Sequence, residues 1–238
     1  MKLNGTEHSD LCVGIDLGTT NSVLATINTK PNGDIVSKVV PLPRAVETYS
    51  SSDGEPCYIS RKDPILPSCV FYDETHKYEP IVGNFAKSMH ASRPDFVAKS
   101  IKSQMEEETA KGLADGIPDK TPAQISARIL RHMLQTAGKI YHTAITDAVI
   151  TVPANFSSVM CKATRDAAEM AGITVRNPDG SERPVLLSEP NAVIWDFINQ
   201  VKNGEISGHI IDLTEPKDVM VFDLGGGTLD ITLHRISR

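Results

Sequence analysis

A phosphate chain is held at close range by backbone N–H groups, and glycine, which lacks a Cβ and tolerates positive φ, lets those groups approach. The sequence offers this twice, in Gly18-Thr19-Thr20-Asn21 and in Gly225-Gly226-Gly227-Thr228, each with hydroxyls added. Each loop follows an aspartate, Asp16 or Asp223, at the end of an apolar run. A carboxylate there is costly to bury unless it serves a cation or a hydrogen-bond network. Two such carboxylates facing one cleft suit a hydrated Mg²⁺, which keeps most of its waters and takes a few carboxylates plus phosphate oxygens. Neither loop fits the Walker pattern or the dinucleotide-binding glycine pattern, because each lies between two strand-like runs instead of opening a helix. One such loop alone reads as a tight hairpin turn. The repetition of strand, Asp-Leu-Gly turn and strand is what favours a phosphate site.

Two further residues carry chemistry less decisively. Glu189, in Leu187-Ser188-Glu189-Pro190-Asn191-Ala192, falls where a strand ends and a helix begins. An acid beside proline in a first helical turn is favourable for the helix dipole alone, so its position leaves structural and functional readings open. Lys99, in Phe96-Val97-Ala98-Lys99, sits in a stretch from Pro94 to Met105 that reads as a short helix, where a single lysine is ordinarily a solvated charge.

The elements that must position these residues follow from hydrophobic periodicity. Leu11 to Ile15 and Ser22 to Ile27 read as strands of one hairpin, and Val219 to Phe222 with Leu229 to Leu233 as strands of another. Lys30 to Pro67 is rich in Pro, Ser and Gly and reads as short strands and long loops, followed by a strand over Leu66 to Tyr72. Thr121-Pro122-Ala123-Gln124 is a capping-box start, after which Ile125, Ile129, Leu130, Met133, Leu134 and Ala137 recur at helical spacing. Asp147 to Val152 reads as a buried strand, Ser157 to Ala171 as a helix stopped by Gly172, Val185 to Leu187 as a strand, and Pro190 to Val201 as a helix. Asn203 to Asp218 reads as a surface hairpin or loop. Strands alternating with helices argue for an α/β layer.

The totals exclude some partners. The 238 residues are 40% apolar and 23% charged, enough for one large domain or two smaller ones. With 24 basic against 30 acidic residues the formal charge is −6, which gives nucleic acid no electrostatic footing. No run reaches the roughly 18 apolar residues that a membrane span requires, and the polar start is no signal peptide, so a soluble, cytoplasmic protein is expected. The four cysteines, Cys12, Cys57, Cys69 and Cys161, include no C-x-x-C pair and are expected to be reduced and packed as small apolar residues.

Val13-Gly14-Ile15-Asp16-Leu17-Gly18-Thr19-Thr20-Asn21-Ser22 and Val221-Phe222-Asp223-Leu224-Gly225-Gly226-Gly227-Thr228-Leu229-Asp230 resemble the two phosphate loops of the heat-shock protein 70, or DnaK-type, chaperones of the actin-like ATPase superfamily. Ala148 to Ala154, Ala163 to Ala168 and Ser188-Glu189-Pro190-Asn191-Ala192 resemble the segments between them. The similarity runs from about Leu11 to Ile236, with Lys30 to Pro67 and the stretch around Ile206 to Pro216 looking like lengthened variants. The resemblance implies an α/β, actin-like (ribonuclease H-like) fold, a mixed sheet flanked by helices, with 1–205 as first lobe and 206–238 as the beginning of a second.

It further implies an ATPase that binds ATP or ADP between Gly18, Thr19, Thr20, Asn21 and Gly225, Gly226, Gly227, Thr228. Asp16 and Asp223 would order Mg²⁺ through water, and Asp230 would assist a K⁺ ion. Lys99 would stabilise the γ-phosphate and the attacking water, Glu189 would position that water or the metal, and Thr228 would touch the γ-phosphate. Phosphoanhydride hydrolysis needs mainly in-line positioning and charge neutralisation, so no covalent protein intermediate is required. Pro153 would be the switch proline linking nucleotide state to substrate affinity. The implied partners of a full-length protein are a J-domain co-chaperone, a nucleotide exchange factor and unfolded polypeptide bound through a further C-terminal domain.

Three positions depart from the family pattern. Cys161 replaces an arginine used in interdomain coupling, Asn155 an aromatic residue, and Asn191 a threonine. The sequence ends at Arg238, before the adenosine-contacting Gly-Gly-Ser-type motif of a second lobe, so weak ATP affinity and little hydrolysis are expected of these residues alone. The departures keep a second reading in play, an ATP-binding regulatory or scaffold relative with little hydrolysis. A third, an actin-like filament protein or small-molecule kinase, shares the loops but not Ile150-Thr151-Val152-Pro153 and Glu189-Pro190.

Overall fold

The structure is a computed structural model, and it describes residues 11–29, 33, 35–49, 56–206, 215–225 and 229–236. Its strands are β1 (Cys12–Leu17), β2 (Asn21–Thr29), β3 (Ile35–Val39), β4 (Leu42–Tyr49), β5 (Pro56–Asp63), β6 (Leu66–Pro67), β7 (Cys69–Asp73), β8 (Glu79–Val82), β9 (Val97–Lys99), β10 (Asp147–Val152), β11 (Leu186–Ser188), β12 (Lys217–Leu224) and β13 (Leu229–Ile236). The helices are α1 (Asn84–Met89), α2 (Pro122–Tyr141), α3 (Ser158–Ala171) and α4 (Glu189–Lys202).

Alternation in β1 sets the layers. Val13, Ile15 and Leu17 are buried while Cys12, Gly14 and Asp16 are exposed, so the period of two sends apolar side chains to one face and Asp16 to the other. β1 pairs antiparallel with β2 and parallel with β10, giving a mixed sheet in the order β11-β10-β1-β2-β3 with β6 alongside β2. α2 and α3 pack together over the apolar face, and Ile125, Ile129, Leu130, Met133, Leu134 and Ala137 are all buried in one core with Val13, Ile15 and Leu24. Each fully buried Ile or Leu contributes about 1.5–3 kcal/mol. α2 begins with the expected reciprocal cap between Thr121 and Gln124, and Gly172 ends α3 in the left-handed conformation at φ 101°. Where this core must bury polar groups it satisfies them: the Tyr72 hydroxyl donates to Asp119 at 2.8 Å, and Arg128 grips the same carboxylate with two N–H groups at 2.8 and 2.9 Å.

Some expectations are corrected. The stretch from Pro94 to Met105 is not one helix but a 3₁₀ turn (Pro94–Phe96), the strand β9, and a second 3₁₀ turn (Ile101–Gln104). Buried Val97 and Ala98 pair with β7, and Ser100, at φ 53°, interrupts any helix between them. The strand read over Leu66 to Tyr72 divides at Ser68, β6 joining β2 and β7 joining β8 and β9 in a separate three-stranded sheet. Of the described thiols only Cys69 is buried; Cys12 is exposed and Cys161 half-buried, while the side chain of Cys57 lies outside the description. Within the expected Asn203 to Asp218 loop, residues 207–214 lie outside the described residues. No helix among the described residues is long and apolar enough to cross a membrane.

β12 and β13 form a two-stranded antiparallel ribbon that shares no sheet with the rest. Met220 faces Leu233, Phe222 faces Ile231 and Leu224 faces Leu229, and these six side chains are all at least half exposed, from Leu229 at 50% to Leu233 at 78%.

Candidate functional site

A cleft of about 1120 Å³ opens between the carboxyl end of β1, the turn after β10, the start of α4 and the β12–β13 ribbon. Asp16, Gly18, Thr19, Thr20, Asn21, Glu189, Asp223, Gly225 and Asp230 all line it, so the first loop faces the start of the second across one space. Gly226, Gly227 and Thr228 lie outside the described residues.

Local structure explains the positions. Gly18 turns β1 into β2 so tightly that a Cβ there would overlap the Asn21 carbonyl oxygen. The loop is steadied from the side, because Ser68 N–H donates to the Thr20 carbonyl at 2.9 Å and the Ser22 and Ser68 hydroxyls bond at 2.8 Å. Asp16 stands in register with Thr151 of β10, whose hydroxyl donates to it at 3.5 Å. Glu189 is the first residue of α4, with Pro190 following, and its carboxylate is turned back toward the cleft.

The lysine of the cleft is not Lys99. Lys99 ends β9 with its side chain exposed, paired in register with Cys69, and does not line the cleft. Lys102, three residues on, does: its ammonium donates to Glu189 Oε1 at 2.6 Å and lies 5.8 Å from the centre of the Phe156 ring. Sequence reading missed it because the resemblance carried the role onto Lys99 of Phe96-Val97-Ala98-Lys99, and the stretch read as a short helix did not point to Lys102. The strand and turn that actually form send them to different places. A usable signal lay in the flanks, where Ile101 and Met105 are both buried and draw Lys102 inward.

Loss of water to the surrounding protein is the largest influence on the Asp16 and Glu189 carboxyls. It raises Asp16 above the ordinary carboxylate range, opposed by Lys102 and the Thr151 hydrogen bond and reinforced by Asp223. It raises Glu189 likewise, against the hydrogen bond and charge of Lys102, with Asp16 and Asp223 adding to the rise. Among the described residues no three acidic, His or Cys groups converge closely enough to ligate a metal directly. That donor set, carboxylates spaced around a wide cleft, suits a cation that keeps its waters.

Comparison with known proteins gives the family. The family model described as Hsp70 protein matches residues 81–238. The chain belongs to the Hsp70 protein family. Its mixed sheet flanked by helices is the actin-like ATPase fold of Hsp70 domains. This Hsp70-family chain is 32% identical over 227 residues to the protein named Chaperone protein DnaK in Halobacterium salinarum, covering 94% of this chain and 28% of that one. The proteins of the same name in Mycoplasmopsis agalactiae and Mycoplasma mycoides subsp. mycoides are each also 32% identical, over 96% and 94% of this chain and 30% of their own lengths. The chain thus spans less than a third of the length of these curated relatives.

Proposed function

We propose that these residues form the phosphate and metal side of the nucleotide site of a DnaK-type chaperone, an ATPase coupled in the full-length protein to binding and release of unfolded polypeptide. The observation that carries the reading is the convergence of both Asp-Leu-Gly turns on one cleft, with the Lys102–Glu189 pair beside them. Backbone N–H groups of the loop from Gly18 to Asn21 bind phosphate oxygens from one bank, and the loop from Gly225 to Thr228 binds them from the other. Residues 1–205 make the first lobe and 206–238 the beginning of the second.

Lys102 takes the role first expected of Lys99. Drawn from its ion pair toward the terminal phosphate, it neutralises charge that grows on the transferred group. Glu189, placed at the start of α4 and lining the cleft, orients the attacking water, and its raised affinity for a proton fits it to accept one. Asp16 and Asp223 would hold a hydrated Mg²⁺, and Asp230 would serve K⁺. The bound Mg²⁺ supplies charge neutralisation at the phosphates. Pro153, which follows β10 and lines the cleft, is the point from which nucleotide state passes toward a J-domain co-chaperone, an exchange factor and the polypeptide-binding part.

Titration calorimetry of the 238-residue chain with ATP and ADP tests the site. Binding that requires Mg²⁺ and is abolished by Asp223→Asn is expected; no binding at any Mg²⁺ concentration overturns it. Turnover of the full-length protein with a J-domain and an unfolded peptide tests the chaperone part, and a rate indifferent to both overturns that part alone. The departures of Cys161, on α3, and Asn155 from the pattern that the resemblance implies favour a second reading, an ATP-binding relative that does not cycle polypeptide. Tight binding without stimulated turnover would select it.

A further inference from the structure

Asn155 Nδ2 donates to Asp230 Oδ1 at 3.4 Å, joining positions 75 apart in sequence. The turn that carries Asn155 is fixed on its other sides. Phe156 N–H donates to the Pro153 carbonyl at 3.2 Å, and Ser157 Oγ donates to Glu106 at 3.1 Å while accepting from Met160 N–H at 3.3 Å. The ribbon is held far less. It shares no sheet with the other strands, and among the described residues the bond to Asn155 is its one side-chain hydrogen bond to the rest of the chain.

Charge makes that bond matter. Asp230 stands directly opposite Asp223 in the ribbon register, and like charges placed so disfavour strand pairing. Asp16 and Glu189 add to the negative field of the cleft, where Lys102 is the one basic side chain among the described lining residues. An amide N–H directed at Asp230 offsets part of the repulsion without a cation.

We propose that Asn155 is a positioning residue: through Asp230 it ties the turn after β10 to the ribbon and holds the Asp223 carboxylate in place across the cleft before any cation arrives. The inference rests on reading the cleft as a cation and phosphate site. Hydrogen exchange of the nucleotide-free protein, read by mass spectrometry in chelator and in excess magnesium chloride, tests it apart from ATP binding.

In chelator, Asn155→Ala is expected to speed exchange in β12 and β13 about fivefold or more, the effect of losing one hydrogen bond to a charged group, with β10 and α3 unchanged. Asn155→Asp sets two carboxylates against each other, so its ribbon exchanges faster still and is slowed again by magnesium, a rescue that a purely structural role would not give. Asn155→Asp combined with Asp230→Asn reverses donor and acceptor and restores protection in chelator. Ribbon exchange equal to the parent's in both single variants, or no recovery in the double variant, overturns the proposal. Since no nucleotide is present, a protein that failed the calorimetric test would still give a clear answer here.

Discussion

The Lys102 ammonium and the Glu189 carboxylate meet at 2.6 Å from positions 87 apart in sequence, joining the turn after β9 to the first residue of α4. Their side chains are only 8% and 18% exposed, so each is the main compensation for the other's loss of water.

Removing the lysine therefore has a structural and a catalytic effect. Lys102→Ala leaves Glu189 without its partner and is expected to cost about 3 kcal/mol in urea denaturation and to abolish ATP turnover in the full-length protein. Lys99→Ala removes an exposed charge and should change stability by less than about 0.5 kcal/mol, with turnover retained. Equal effects at the two positions would return the role to Lys99.

Asp16 predicts an opposition between folding and binding. Its pKa is raised in the folded protein, so it favours folding while protonated, and that contribution is lost as pH rises through its folded value. At neutral pH the charged form weighs against the fold. Asp16→Asn is expected to raise the thermal midpoint at neutral pH slightly, a gain in stability of under about 1 kcal/mol because the cleft side is open to solvent, and to weaken Mg²⁺-dependent nucleotide binding. The stability gain should shrink as pH falls toward the ordinary carboxylate range. Scanning calorimetry across pH checks the sign; a lower midpoint at neutral pH contradicts it.

Two glycines of the same hairpin should respond differently. Gly18→Ala drives a Cβ into the Asn21 carbonyl, and the loop must shift to accept it, at about 1–3 kcal/mol. Nucleotide affinity should fall at least about tenfold, the equivalent of about 1.4 kcal/mol. Gly14→Ala meets nothing within 4 Å and should leave both unchanged. Denaturation and calorimetry on the pair separate a geometric demand at the turn from any general loss of glycine.

Much of this arrangement was legible in the residues, for reasons that differ by element. The α2 helix announced itself because capping and periodicity agreed, and the β1–β2 hairpin because Gly18 and its neighbours permit little else. The echo of Asp16-Leu17-Gly18 in Asp223-Leu224-Gly225 pointed to one shared cleft without any structure. What local pattern could not carry was tertiary choice. Val97 and Ala98 form a strand because β7 is there to pair with, and Lys102 enters the cleft because that strand turns at Ser100. The Asn155–Asp230 bond was equally out of reach, since neither residue's neighbours indicate the other.

The separateness of the β12–β13 ribbon has a thermodynamic consequence. A two-stranded ribbon is at best marginally stable in water, so this one borrows its order from what it lies against. The large sheet shares no strand pairing with it, so the far bank of the cleft is not secured by the sheet's own hydrogen bonds. Any molecule that grips both banks then acts as a cross-link between ribbon and sheet, and its concentration, through its logarithm, sets how firmly that bank is held.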